Sequence, residues 1–308
     1  MTTELLARAD RLRVERTAFV LATVVRAERP TSAKAGDRAI VMADGTIEGF
    51  VGGVCAESTV RLQSLRLLEH GDSTLLRITP TDGDEEVVEP TAEGLVVVGN
   101  PCLSGGTLDI FLEAILPPTL VHVFGAAPIA RALETVARAA GFAVTAVTDP
   151  DAPIAADTSA VVIASHGRDE EKVLARALAS RVPYIGLVAS RRRGTAVLSE
   201  LDATDEQRAR VRTPAGLDIG ARTPLEIAVS VVAELVSVKS QLQPAPAPAP
   251  RGSLPIVDVT ATATDPVCGM SVAAVPTSLH LELRGTTWYF CGPGCKQAFA
   301  DNPQAYGA

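Results

Sequence analysis

The stretch Leu120-Val-His-Val-Phe-Gly125-Ala-Ala-Pro-Ile-Ala130 decides how the middle of the chain is read. An apolar run enters a glycine, a helical pattern over Ile129–Ala140 follows at once, and a second apolar run, Ala143–Val147, leads to Asp149, 24 residues beyond Gly125. Strand, glycine turn, helix, strand and acid in that order is the layout of a dinucleotide-binding βαβ unit. The alternation continues through Ala160–Ala164, a helix over Glu170–Ala179, Tyr184–Val188 and a last helix near Leu225–Val238. Continuous apolar strands separated by amphipathic helices predict a parallel sheet covered on both faces, a Rossmann-like domain over 118–240. The glycine fingerprint is incomplete. Ala127 stands where a second glycine would let the backbone approach a pyrophosphate, and Pro128 removes one donor from the first helical turn. A nicotinamide-dependent oxidoreductase built on Gly125 and Asp149 is therefore carried only as an alternative, and NAD(P) is not the expected ligand.

Two further groups follow strands of this domain. Ser165 and His166 come after Ala160–Ala164, at the carboxyl edge where open α/β sheets bind ligands. Arg191 and Arg192, in the basic turn Ser190–Gly194 after Tyr184–Val188, suit an anion. The plainer readings are a histidine bonded within its own loop and a solvated basic turn.

Upstream, residues 1–117 read as a mixed α+β domain. Strands are expected over Phe19–Val25, Thr46–Val51, Leu75–Ile78, Leu95–Val98 and Thr107–Leu112, with a hairpin through Ala43-Asp44-Gly45 and one helix over Cys55–Glu69. Gly52-Gly53-Val-Cys55-Ala-Glu57 places a diglycine after a strand and a cysteine in the first turn of that helix. Unpaired amides and the positive end of the helix dipole favour thiolate there and can also hold an anionic oxygen, while Glu57 suits the same dipole. Cys102, Gly105 and Gly106 form a second glycine–cysteine turn, between two strands. Either cysteine could equally be a small buried apolar residue. The acidic run Asp82–Glu89 reads as a solvated loop.

Downstream, Gln243-Pro-Ala-Pro-Ala-Pro-Ala-Pro-Arg251 marks a linker over 241–264, whose proline repeat spans roughly 20 Å as a semi-rigid spacer. Residues 265–308 then hold Cys268, Cys291 and Cys295 among aromatics. So small a unit needs a staple, and a metal bound by thiolates is the economical one. Zinc is one candidate and copper(I) another, with Met270 as an added soft donor. His280, Asp265 or an exogenous group could be the fourth ligand. The expected fold class is thus α/β in three parts, the last a small metal-binding module.

Composition limits the remaining classes. With 28 basic and 36 acidic side chains in 308 residues, a net charge of -8 argues against a nucleic-acid partner. Five cysteines are too few for a disulfide scaffold and suit ligand or nucleophile roles. No apolar run is long enough to span a membrane, the richest, Ile227–Val238, being interrupted by Glu234, and the first residues lack a signal-peptide pattern, so a cytoplasmic protein is expected.

Several of these stretches, taken in order, resemble the XdhC/CoxI accessory proteins. They are Gly49-Phe-Val-Gly-Gly-Val-Cys55-Ala-Glu57, Val121-His-Val-Phe-Gly125, Tyr184-Ile-Gly-Leu-Val-Ala-Ser-Arg191, Thr213-Pro-Ala-Gly-Leu-Asp-Ile-Gly220 and Thr223-Pro-Leu-Glu-Ile-Ala228. Residues 265–306 resemble a YHS domain, a module commonly thought to bind metal. The resemblance implies a chaperone more than a turnover enzyme, and no catalytic residue is assigned. Such a factor binds molybdenum cofactor (molybdopterin), works with a cysteine desulfurase to install its sulfur, and delivers it to a molybdenum hydroxylase of the xanthine or carbon monoxide dehydrogenase type. A homodimer is among the expected partners. Cys55 matches the family's cysteine after the diglycine and Glu57 its neighbouring acid. Two departures stand out: Ala27–Ser32 replaces the family's usual loop after the first strand, and Gly125-Ala-Ala-Pro128 its glycine-rich turn. A metal-delivery or sensing role for the last three cysteines is the remaining alternative.

Overall fold

A computed structural model describes residues 2–80, 94–100, 106–180, 182–238, 242 and 261–307. The proline–alanine linker, the acidic run, Cys102 and Gly105 lie outside the described residues. The chain divides into two compact units, one formed by residues 1–117 with 248–308 and the other by 118–247.

The first unit opens with helix α1 (Thr2–Val14), strands β1 (Phe19–Ala27), β2 (Arg38–Met42) and β3 (Ile47–Gly49), then helix α2 (Val54–His70) and strands β4 (Ser73–Pro80), β5 (Leu95–Asn100) and β6 (Leu108–Ile115). These strands make one sheet in the order β3-β2-β1-β6-β4-β5, antiparallel except for the parallel pair β4–β5. Side chains alternate across a strand, so β1 sorts its residues between two cores. Phe19 and Leu21 pack with Leu5, Ala9 and Leu12 of α1, whereas Val20, Ala22 and Val24 pack with Ala56 and Val60 of α2. Helix α2 stops where Gly71 adopts φ +77 and returns its N–H to Leu67 O. Sequence periodicity located most of these strands but not α1 or β2.

The second unit contains β7 (Leu120–Phe124), α3 (Pro128–Ala139), β8 (Ala143–Val147), β9 (Thr158–Ile163), α4 (Glu170–Ala179), β10 (Tyr184–Leu187), α5 (Arg191–Glu200), α6 (Asp205–Ala209), β11 (Val211–Arg212) and α7 (Pro224–Ser237). All pairs in its sheet are parallel, and the strand order is β11-β10-β9-β7-β8. Numbered within the unit, that is 2-1-3-4-5, a doubly wound arrangement whose direction reverses between β7 and β9. Leu133 and Ala137 of α3 pack with Val231 and Leu235 of α7 on one face, and Val173 and Leu174 of α4 with Val197 of α5 on the other. The expected Rossmann-like sheet with both faces covered is present. The basic stretch Arg191–Arg193, read as a turn, is instead the first turn of α5, capped by the Ser190 side chain accepting from Arg193 N.

His122 sits inside this sheet, 4% exposed, with Nε2 3.4 Å from Thr158 Oγ1 and no partner for Nδ1. Burial holds its pKa below the usual histidine value. The unfolded chain therefore binds a proton near pH 6.5 that the folded state resists, and stability falls as pH drops from about 6.5 toward the folded pKa. His122→Leu is expected to flatten that slope, read from melting temperatures at pH 5.5 and 7.5. An unchanged slope would show that another group sets it.

The first unit ends with β12 (Thr262–Thr264), β13 (Ser271–Ala273), β14 (Leu279–Leu283), β15 (Thr286–Phe290), α8 (Pro293–Asp301) and a 3-10 turn over Pro303–Tyr306. Two antiparallel ribbons, β12–β13 and β14–β15, carry it, and Phe299 of α8 packs its ring against Trp288, Phe290 and Tyr306. This C-terminal segment also lies against α2. Leu62 and Leu65 form a buried cluster with Ala273 and Val275, and Thr277 Oγ1 donates to Asp44 O at 2.8 Å. A side chain at Gly45 would collide with this contact, since its β-carbon would lie 2.7 Å from Thr277 Oγ1.

Candidate functional site

Two arrangements stand out among the described residues, a cleft in the second unit and a thiol cluster in the first. The cleft opens at the carboxyl ends of β7 and β9, where the sheet reverses direction. It encloses about 590 Å³ and is lined by Gly125–Pro128, Thr148, Pro150, Ser165, His166, Arg168 and Asp169, among others. Gly125 is obligatory for the floor. Its φ is +124, and a β-carbon there would sit 2.4 Å from Ala164 O. Helix α3 begins at the cleft with Ala127 as its cap residue and Pro128 in its first turn. The dipole's positive end favours an anion there, and Pro128 offers no N–H to it.

The loop 165–170 forms the far wall and is held by its own hydrogen bonds. Ser165 Oγ donates to Arg168 O at 2.8 Å, and Gly167 N donates to Glu170 Oε1 at 2.8 Å. Glu170 is buried and its other oxygen is paired with Arg193 Nη2, which ties the start of α4 to the start of α5. His166, with φ +54, also borders an adjoining hollow of about 500 Å³ lined by Ser190, Arg191, Arg193, Pro214–Ala221, Ile227 and Ser230. Gly125, Ser165 and His166 thus meet at the main cleft and Arg191 lines its neighbour. Arg192 is exposed and lines neither. Asp149 turns its carboxylate onto its own loop, accepting from Asp151 N at 2.8 Å. Sequence reasoning missed Arg168, a cation on the cleft wall, although it lies two residues beyond His166.

In the first unit, Gly52 has φ +141 and Gly53 caps α2, which places Cys55 and Glu57 in the helix's first turn as expected. Gly106 lies under the backbone of Glu28 and Pro30, its β-carbon position only 2.2 Å from Glu28 O, so its glycine serves close packing.

The C-terminal thiols converge. Cys268 Sγ is 3.4 Å and Cys295 Sγ 3.6 Å from Cys291 Sγ, and with an Asp265 oxygen these ligand atoms all lie within 4.8 Å of one another. Two thiolates on a tetrahedral zinc at about 2.3 Å stand about 3.8 Å apart, so small adjustments suffice to seat an ion. Asp265 is fully buried, accepting from Cys291 N at 2.7 Å and from Val267 N at 2.9 Å. His280 is not part of the cluster; its Nδ1 lies 2.9 Å from Ser278 O and its ring beside Tyr289. The cluster's protons are shared unevenly. Accepting a hydrogen bond from Cys291 lowers the Cys268 pKa, and donating that bond raises Cys291 well above the thiol range. Burial, with the Asp265 charge, pushes Cys295 up to about 12.

Comparison with known proteins accounts for both regions. Residues 12–79 match the XdhC and CoxI family, residues 121–235 the XdhC Rossmann domain, and residues 263–308 the YHS domain. The chain is similar to the uncharacterized protein YqeB of Escherichia coli (strain K12), 29% identical over 75% of this chain and 46% of that one. It is similar to the molybdenum cofactor insertion chaperone PaoD of the same organism, 24% identical over 71% and 83%. A probable xanthine dehydrogenase subunit of Bacillus subtilis (strain 168) is 29% identical over 44% and 48%. The chain therefore spans about half the length of two of these three relatives. Among solved structures, a xanthine dehydrogenase of Bacillus halodurans aligns with 79% of this chain and 98% of its own, at 18% identity and a TM-score of 0.39. The chain thus carries, in order, an XdhC and CoxI family segment over residues 12–79, an XdhC Rossmann domain over residues 121–235 and a YHS domain over residues 263–308.

Proposed function

We propose that this protein is a maturation factor for molybdenum hydroxylases, with the molybdenum cofactor as its cargo. The observation that carries the reading is the cleft at the sheet's reversal point. Its volume falls in the range of small-molecule sites, and it joins a helix N-terminus, a glycine floor, Ser165, His166 and Arg168. A phosphate fits the helix end and Arg168, while a pterin's ring nitrogens and oxygens suit the polar wall. Similarity to a relative named a molybdenum cofactor insertion chaperone, over most of that relative's length, supports the same cargo. On this reading the protein also supports sulfuration of the cofactor with a cysteine desulfurase. The client is a hydroxylase of the xanthine or carbon monoxide dehydrogenase type, and a homodimer is the working assembly.

Nicotinamide chemistry is the weaker alternative, because Asp149 is engaged in its own turn and Ala127 keeps its methyl at the helix cap. The test is a titration of the full chain with isolated molybdenum cofactor, followed by fluorescence. Arg168→Ala removes a charge-assisted contact worth about 1.5 kcal/mol, so affinity is expected to fall about tenfold. NAD and NADP are expected not to compete. Absence of pterin binding, or competition by NAD, would overturn the reading.

A further inference from the structure

We propose that Cys55 completes a metal site with Cys268, Cys291 and Cys295, so that one ion is held by four thiolates from α2 and the YHS module together. The three module thiols are already gathered within ligand distance of one another. Cys55 belongs to the same packed cluster as Met270, Val272, Cys291, Cys268 and Cys295. Gly292, next to Cys291, lies beside Cys55: a β-carbon there would be 3.7 Å from Cys55 Sγ and 4.0 Å from Val54 Cγ1, ordinary contact distances between the module and the first turn of α2. The Cys55 and Cys291 side chains are close enough to hydrogen bond. Further along α2, Leu62 and Leu65 pack with Ala273 and Val275, so the same helix also carries an apolar contact with the module.

Chemistry favours Cys55 over Asp265 as the fourth ligand. Both Asp265 oxygens accept backbone N–H groups, one of them from Cys291 itself, so this carboxylate orients the chain that carries a ligand. Four soft sulfurs in a tetrahedral arrangement suit zinc, or cobalt(II) as its spectroscopic substitute. The inference does not rest on the molybdenum reading. One consequence bears on it: while the ion is bound, the Cys55 thiolate is not available to sulfur or to cofactor.

The test uses the full chain and cobalt(II) or zinc(II) alone. Wild-type protein is expected to bind one cobalt per chain with the sulfur-to-cobalt absorption of four Co–S bonds. Cys55→Ser should reduce that absorption by about a quarter and weaken zinc by at least about tenfold, since even outer-shell changes cost that much. Asp265→Asn should keep the four-sulfur spectrum. In the unmutated protein, maleimide labelling of Cys55, located by peptide mass, should be blocked by zinc and restored by a chelator. The proposal is overturned if Cys55→Ser keeps the wild-type spectrum, if Asp265→Asn loses a ligand in its place, if Cys55 labels equally with and without zinc, or if no metal binds.

Discussion

Replacing Glu234 by alanine is expected to destabilise the second unit by about 2–6 kcal/mol, the cost of leaving the buried Tyr184 hydroxyl and the Gly216 amide without their acceptor. Glu234 is 8% exposed on α7 and collects three donors. Tyr184 Oη donates at 2.7 Å and Gly216 N at 2.7 Å to one oxygen, and Arg212 Nη1 donates at 3.0 Å to the other. The same Arg212 guanidinium lies over the Tyr184 ring, 5.5 Å from its centre. One carboxylate thus joins β10, β11 and the loop after β11 to α7. Alanine would leave the Tyr184 hydroxyl buried without its acceptor and the Gly216 amide unpaired. Glu234→Gln keeps an acceptor and should cost less than alanine, with the order read from chemical denaturation of both variants. Because Gly216–Ala221 line the hollow beside His166, the alanine variant should also weaken ligand binding in the remaining folded protein. Equal stability of Glu234→Ala and wild type would remove this network as a determinant.

The sequence assigned Glu234 only the role of a charge that interrupts an apolar run. Its real work could not be read, because its three donors lie 18 to 50 positions away. Local patterns were a better guide: the expected spans for β7, β8 and α4 coincide with those observed, each being a continuous apolar strand or a 3.6-residue stripe. Helix α5 was hidden by Gly194, which looks like a turn residue. It is a glycine because a β-carbon there would fall 2.1 Å from Thr213 Oγ1. Helix α1 was hidden by charge, although Leu5, Ala9 and Leu12 mark its packed stripe. The cleft was legible in Gly125, Ser165 and His166, since strand ends locate a carboxyl edge. The grouping of Cys55 with the last three cysteines was not, because it depends on how β13 seats against α2.

That seating yields the second large effect. Leu65→Asp is expected to release the YHS module from α2 without unfolding either partner. Leu65 is 1% exposed, and the buried cluster it shares with Leu62 contains only Ala273 and Val275 besides. Burying such a leucine contributes about 1.5–3 kcal/mol, and an aspartate in its place would have to leave water among apolar side chains. Undocking spares the charge this penalty, so the variant's energetic loss falls on the docked state. Thr277 Oγ1 to Asp44 O adds one exposed hydrogen bond worth about 1 kcal/mol, and the packing of Cys55 against Met270, Val272 and Cys291 is the contact that the labelling reads. Cys55 should then label with maleimide even when zinc is present, and cobalt should show three sulfur bonds, as in Cys55→Ser. Protection of Cys55 by zinc in Leu65→Asp would mean that metal ligation holds the module in place without the apolar contact. Full labelling would mean that packing against α2 brings the fourth sulfur to the ion.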